Sequence, residues 1–203
     1  MRRLFVLIAV LTALGMAELS IPSLAHAQGT AAEILERARG QARDIEELRK
    51  ILNGPDQNMR LATFDAMVKS GDEALRLIAY EAGLASADSV MRAMAFKALV
   101  LSQNNLHLTL TPDPSAPKPT QEASVDYLVK NGSGLVVPID SRNPESGSFK
   151  ANNWQGQVSG TELVFSYGSR ANGTMSLHDD NAIAGVVRLE SGRTQFLASG
   201  KLR

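Results

Sequence analysis

The spacing of apolar residues changes once along the chain, and this change restricts the possible folds more than any other feature. Between residues 30 and 104, apolar residues recur every three or four positions, the period of an amphipathic helix. From Leu106 onward they alternate with polar residues, the period of a strand. The order predicts an α+β chain, with an antiparallel helical layer followed by an antiparallel β meander. The meander would close as a small barrel or fold as a sandwich.

Start and stop signals define the first helix. Thr30 and Glu33 have the spacing of a capping box, and Gly54-Pro55 ends the run, so residues 30–53 are predicted to be helical. The apolar residues form a narrow stripe on an otherwise charged helix. The stripe fits a helix that docks on its own domain. The alternative is a coiled-coil contact with a partner, although the stripe is short for that purpose.

An internal repeat of 32 residues follows this helix. Residues 59–72 and 91–104 are identical at six of 14 positions, namely Met, Arg, Phe, Ala, Val and Ser. Each copy follows an aspartate that is suited to a helix start, Asp56 or Asp88, and a further helix is predicted over residues 72–85. A helix-turn-helix period of this length is typical of solenoids.

The run Asp-x-x-Met-Arg…Ala-Phe…Ala-Leu at residues 88–99, with its partial copy at 56–67, resembles the short HEAT-like helical repeats. The resemblance is confined to residues 56–104, and no family is recognised for the β half. It implies stacked helix pairs whose exposed surface binds other proteins. Because about three units are needed for a stable stack, these helices must also pack against the 30–53 helix or the C-terminal half.

Arg60 and Arg92 occupy equivalent positions in the two copies. One interpretation is that they are paired contacts for an anion. The other is that each pairs with an acidic residue or caps a neighbouring helix, as an arginine in such a unit usually does.

The region after the repeats is rich in proline. Leu106 to Thr111 is predicted as a strand, and four prolines between residues 112 and 119 predict an extended segment that joins neither a helix nor a central strand. Residues 105–122 are therefore predicted to be a linker or exposed loop. Residues 123–203 are predicted as the β domain, and its first strand would carry the alternating residues Val125, Tyr127 and Val129.

Trp154 is the only tryptophan, and it lies at the mouth of a predicted strand. If exposed, it would stack on a sugar or anchor a partner. If buried, it would fill the core of the β domain. Tyr167 would extend a stacking surface only if it lay on the same side of the sheet.

The sequence contains no recognisable catalytic motif. Neither His107 nor His178 lies in a known catalytic setting, and there is no P-loop or dinucleotide fingerprint. The cluster His178-Asp179-Asp180-Asn181 lacks the spacing of a calcium loop and is predicted to be a turn. We therefore predict a protein without catalytic residues, cofactor or metal site. The alternative is a hydrolase with no recognisable motif.

The first 27 residues have the composition of a secretory signal peptide. Arg2 and Arg3 precede an apolar run at residues 4–17, and Ala25-His26-Ala27 matches the cleavage pattern. Cleavage after Ala27 would leave a soluble periplasmic or secreted chain. An uncleaved anchor is less favoured because the run is short.

The overall composition removes several other classes of protein. The chain has no cysteine, which excludes disulfides and cysteine-ligated metals. Its 21 basic and 21 acidic residues do not favour a nucleic-acid binder.

We expect a non-enzymatic binding or adaptor protein whose helical repeat surface contacts an envelope protein. The alternative is that the β domain binds a glycan, a lipid or another small ligand. The candidate binding residues are Arg60, Arg92, Trp154 and Tyr167. The sequence leaves the oligomeric state open.

Overall fold

The structure is a computed structural model that describes residues 30–178 and 181–202. The predicted signal peptide, residues 1–27, and the acidic pair Asp179 and Asp180 lie outside the described residues. The chain divides into two units between Gly40 and Gln41. Within the described ranges, no helix is both long and apolar enough to cross a membrane.

The described residues form helices and then an antiparallel sheet, so the predicted α+β class is confirmed. The helices are α1 (Ala31–Leu52), α2 (Gln57–Lys69), α3 (Glu73–Leu84), α4 (Ser89–Ser102) and α5 (Lys118–Asn131). The strands are β1 (Asn105–Pro112), β2 (Gly134–Pro138), β3 (Ser141–Asn143), β4 (Ser148–Ala151), β5 (Trp154–Ser159), β6 (Glu162–Tyr167), β7 (Ala171–Leu177), β8 (Ala182–Leu189) and β9 (Thr194–Lys201).

The first helix begins with the predicted capping box. The Glu33 amide donates to Thr30 Oγ1 at 3.3 Å, and the Thr30 amide donates to Glu33 Oε2 at 2.7 Å. Along the part of α1 that precedes Gln41, Ile34 and Leu35 are exposed. In the second unit, α1 ends at Leu52, which is buried in the core.

Asp56 and Asp88 cap helices as predicted, and Asp72 caps the helix predicted over residues 72–85. The carboxylates of Asp56, Asp72 and Asp88 each accept hydrogen bonds from backbone amides of the first turn that follows. Helices α3 and α4 approach closely at Gly83, where a methyl group would lie 2.6 Å from the Ala95 Cβ. The four helices predicted between residues 30 and 104 are therefore present.

The strands form one sheet in the order β2-β1-β9-β8-β7-β6-β5-β4-β3, and every neighbouring pair is antiparallel. Only Ile139 and Asp140 separate the edge strands β2 and β3 along the chain. Because two residues cannot span a flat nine-stranded sheet, the sheet curls into a half-barrel.

The core lies on the inner face of this half-barrel. Alternate residues of each strand point inward, and α5 rests on that face with the Tyr127 ring 5.6 Å from the Phe196 ring. Buried residues from both halves belong to one cluster, so the helices and the sheet share a core. Its largest members include Phe64, Phe96, Phe149, Phe196, Leu163 and Met175.

The predicted strand over Val125, Tyr127 and Val129 is wrong, because these residues lie in helix α5. Val125 and Val129 are exposed, one turn apart, whereas Tyr127 faces the sheet. Three residues spaced two apart are too few to separate the period of a strand from that of a helix.

The expectation that the proline-rich run joins neither a helix nor a central strand is also wrong. Pro119 lies in the first turn of α5, where the missing amide hydrogen would have no helical partner in any case. Pro112 is the last residue of β1, which lies between β2 and β9. The strand predicted over Leu106 to Thr111 is itself confirmed.

Candidate binding site in the helical layer

The Arg60 guanidinium joins three parts of the helical layer. Its Nη1 donates to the carbonyl oxygens of Gly54 and Pro55 at 2.8 and 3.0 Å. Its Nη2 donates to Asp88 Oδ2 at 2.7 Å, and Gln57 Nε2 donates to the same oxygen at 2.9 Å. Arg60 therefore fixes the turn before α2 against the start of α4, and its terminal nitrogens are used inside the chain.

This arrangement keeps the Asp88 carboxylate charged. The hydrogen bond from Arg60 is the main reason that the pKa of Asp88 lies below its ordinary value. Amides of Met91 and Val90 and the side chain of Gln57 act in the same direction. One carboxylate thus caps α4 and binds the arginine of the preceding repeat copy.

The two repeat copies share several equivalent contacts. Phe64 and Phe96 are both buried in the core. The Ser70 hydroxyl donates to the Met67 carbonyl at 2.8 Å, and the Ser102 hydroxyl donates to the Leu99 carbonyl at 2.7 Å. The sequence repeat is therefore a repeat of structure as well.

Arg92 has the position of Arg60 in the second copy but none of its partners. Its Nε is buried without a hydrogen bond, and its terminal nitrogens are open to solvent without a partner among the described residues. The counterpart of Asp88 one repeat further on is Thr120, which belongs to α5. Arg92 lacks a carboxylate because the chain enters β1 where the repeats would continue.

The two repeated methionines, Met59 and Met91, differ in burial, and here the residue of the first copy is the uncovered one. They are equivalent in the repeat, yet Met91 is 0 % exposed and Met59 is 51 % exposed. Met59 lies in a groove of about 660 Å³ between the second half of α1 and the start of α2. Ile51 and Pro55 supply further apolar lining. The charged lining residues are Arg43, Glu46, Glu47, Lys50 and Asp56.

This groove was not predicted from the sequence. The repeated methionine even points the other way, because residues at equivalent positions of a repeat are expected to be buried alike. Met59 is exposed because a single helical segment, residues 41–52 of α1, precedes α2 in the second unit, whereas two helices, α2 and α3, precede α4.

Trp154 and Tyr167 lie directly opposite each other on β5 and β6, on the inner face. Their ring centroids are 5.1 Å apart with planes at 45°, and Trp154 lies 6.0 Å from Phe165 at 52°. Trp154 and Tyr167 therefore lie on the same side of the sheet, which was the condition for Tyr167 to extend a stacking surface. The tilted rings resemble core packing more than the coplanar platform that a sugar face requires.

The two histidines have separate environments. His107 lines a cleft of about 570 Å³ beside β9, together with Thr109, Ser199 and Lys201. His178 is exposed, and its amide donates to the Ala182 carbonyl at 2.8 Å. Over residues 30–178 and 181–202, no three acidic or histidine side chains are grouped as a metal site would require.

Of the four predicted binding residues, the structure brings together only Trp154 and Tyr167. Arg60 and Arg92 belong to successive copies, and Arg60 is occupied by Asp88. No protein-family model, curated protein or solved structure matches the chain. Its function must therefore be inferred from the residues themselves.

Proposed function

We propose that this chain is a non-enzymatic binding protein of the bacterial envelope that holds a protein partner through its helical layer. The partner would dock in the groove between α1 and α2, with Met59 as the apolar contact. The composition of residues 1–27 supports an extracytoplasmic destination. The resemblance of residues 56–104 to HEAT-like repeats supports protein binding.

The observation that carries this proposal is the difference between the two repeated methionines. Met91 is covered by its own layer, whereas Met59 leaves 51 % of its surface exposed over the groove. Methionine is flexible and polarisable, and it suits surfaces that accept a partner's apolar side chain.

The surroundings of Met59 have the composition of a protein interface. The apolar residues of the groove lie beside charged side chains of one face of α1, namely Arg43, Glu46, Glu47 and Lys50. Stable interfaces commonly combine an apolar centre with a polar rim. Arg60 holds the Gly54-Pro55 turn in place, so this wall of the groove is formed before a partner arrives.

The test compares two methionine-sized surface sites on the same layer. Met59 and Leu77 are both 51 % exposed, but only Met59 lines the groove. Full chain purified after secretion would be immobilised as wild type, Met59→Glu and Leu77→Glu, and exposed to a solubilised envelope extract. Thermal unfolding would verify that all three proteins are folded.

We expect one specific protein on the wild type and on Leu77→Glu, with at least a tenfold loss on Met59→Glu, because a buried carboxylate without a partner is costly. Equal retention by all three proteins would contradict the proposal. Loss on both variants would indicate a general effect of added charge and would also contradict it.

Ligand binding by the β half is the second candidate, and the adjacency of Trp154 and Tyr167 is the observation in its favour. Since Trp154 is the only tryptophan, its fluorescence reports this site alone. A saturable change of emission with peptidoglycan fragments or lipid vesicles would favour this candidate. An unchanged spectrum would count against it.

A further inference from the structure

Comparing Arg60 and Arg92, which are equivalent in the two repeat copies, indicates which chemical group Arg92 would bind. At the first position, Arg60 binds a carboxylate, with Nη2 2.7 Å from Asp88 Oδ2. At the equivalent position, Arg92 has a buried Nε without a hydrogen bond, and its terminal nitrogens are unpartnered within the described chain. The same backbone setting therefore occurs once with its carboxylate and once without.

The helical segment that carries Arg92 is held in place. The neighbouring residues Met91, Ala95 and Phe96 on α4 are fully buried, so the helix that carries Arg92 is fixed in the core. A buried nitrogen donor without a partner raises the free energy of the folded chain. An acceptor from solvent can reach the terminal nitrogens of the same guanidinium, which are not buried, without rearranging the helix.

The charge of α4 favours the same kind of ligand. Arg92 and Lys97 are the only charged residues in this helix. Lys97 Nζ contacts the carbonyl oxygen of Glu145 at 3.4 Å, so it is not neutralised by a carboxylate there. The carboxylate of Asp88, one turn before Arg92, already binds Arg60.

We infer that Arg92 binds a carboxylate supplied from outside the chain, namely an aspartate or glutamate side chain of a partner polypeptide. The partner carboxylate would occupy the place that Asp88 occupies at Arg60. A guanidinium binds a carboxylate through two parallel hydrogen bonds, which a lysine cannot reproduce. This inference does not rest on the groove at Met59 and can fail or succeed separately.

The direct test follows the arginine Nε–H resonances of the isotopically labelled full chain by NMR. Arg92→Lys identifies the Arg92 signal by its loss. The probes are capped hexaglutamate, sodium acetate and sodium chloride at matched ionic strength, with capped hexalysine as the control peptide.

We expect a saturable shift of the Arg92 signal with hexaglutamate, no shift with hexalysine or chloride, and a constant Arg60 signal. Binding of hexaglutamate to Arg92→Lys should be about tenfold weaker or more. A constant Arg92 signal, or an equal shift with chloride, would overturn the inference. A shift with acetate but not with hexaglutamate would overturn the assignment to a polypeptide.

Thermal unfolding separates a binding role from a structural one. Arg60→Met removes the partner of a largely enclosed carboxylate and should lower Tm by several degrees. Arg92→Met removes an unpartnered donor and should leave Tm unchanged or raise it. If both variants lowered Tm equally, Arg92 would be a structural residue and the inference would be wrong.

Discussion

Individual residues differ in whether their buried polar atoms form hydrogen bonds. Two buried side-chain atoms have no hydrogen bond within the described ranges, Arg92 Nε and Thr194 Oγ1. Thr194 is 0 % exposed on the inner face of β9, opposite Leu189. Its hydroxyl has left water without gaining a partner, which opposes folding.

Replacing Thr194 with valine should therefore stabilise the protein. Valine keeps the shape of the side chain and removes the unsatisfied hydroxyl, so the free energy of unfolding should rise by about 1 kcal/mol. Urea unfolding monitored by Trp154 fluorescence would measure the change.

Thr194→Ser provides the matched control, because it keeps the hydroxyl and loses the methyl group. This variant should be less stable than the wild type by about 1 kcal/mol. A loss of stability in Thr194→Val would show that the hydroxyl has a bonding partner, and the prediction would be wrong.

The sequence identified Arg60 and Arg92 as equivalent, but it did not show that only Arg60 of the two has a carboxylate partner within the described chain. Their equivalence follows from their spacing along the chain, which can be read directly from the sequence. Occupancy depends on Asp88 approaching Arg60 across a helix pair, and on the chain turning into β1 after α4. The exposure of Met59 depends in the same way on what precedes α2.

At the scale of elements, one polar network attaches α5 to the sheet. The Asp113 carboxylate accepts hydrogen bonds from the Ser115 amide and hydroxyl and from Gln195 Nε2. The Ser124 hydroxyl donates to the Gln195 carbonyl at 3.1 Å and accepts from its amide at 3.0 Å. Ser124 of α5 thus forms hydrogen bonds with the backbone amide and carbonyl of Gln195 in β9. Gln195 lies next to Phe196, where the pairing of β9 with β1 ends.

The network should make stability depend on acid pH. Hydrogen bonds from Ser115 and Gln195 hold the pKa of the Asp113 carboxyl below its ordinary value. Because the folded-state pKa is lowered, the stabilisation is complete well above the unfolded value of about 3.9 and is lost as the pH falls through the folded pKa.

Asp113→Asn tests this dependence by urea unfolding between about pH 6 and pH 3. We expect the wild type to be more stable than the variant near pH 6, with the difference shrinking towards pH 3. A difference that stayed constant with pH would show that the Asp113 charge does not contribute.

Neighbouring strands also depend on a glycine for close approach. A methyl group on Gly185 in β8 would lie 1.9 Å from the Thr174 carbonyl oxygen and 2.8 Å from the Met175 Cα. Both are backbone atoms of β7, so the clash could be relieved only by moving a strand. By contrast, Gly134 in β2 has open space around it.

Gly185→Ala should therefore lower the free energy of unfolding by about 3 kcal/mol, the upper end of overpacking costs. Gly134→Ala, the matched control, should change it by less than about 0.5 kcal/mol. Urea unfolding measures both. Similar stabilities for the two variants would contradict the packing of β7 against β8.

Regular elements with their own start signals were the most predictable part of the fold. Asp56, Asp72 and Asp88 act on their own first turns, so the positions of α2, α3 and α4 follow from local chemistry. Helix α5 was missed because prolines surround its start and its exposed valines mimic strand alternation.

The whole molecule is organised by a sheet whose order was not predictable from the sequence. The consecutive strands β3 to β9 follow the expected meander, in which each turn sets the next pairing. The placement of β1 beside β9 pairs Thr109 with Ser199, almost half the chain away. No local pattern marks such a pairing, so β1 could not be assigned to either half beforehand.

The position of β9 also affects the order in which the strands can pair during folding. By strand pairing, β1 and β2 form one group and β3 to β8 form another, and β9 is the strand that pairs with both. Closing such distant contacts is slow because the chain loses entropy before the contacts form. During that interval β1 and β8 each present an unpaired edge, the usual starting point for aggregation. The newly made chain is therefore most in need of protection just before its last strand is inserted.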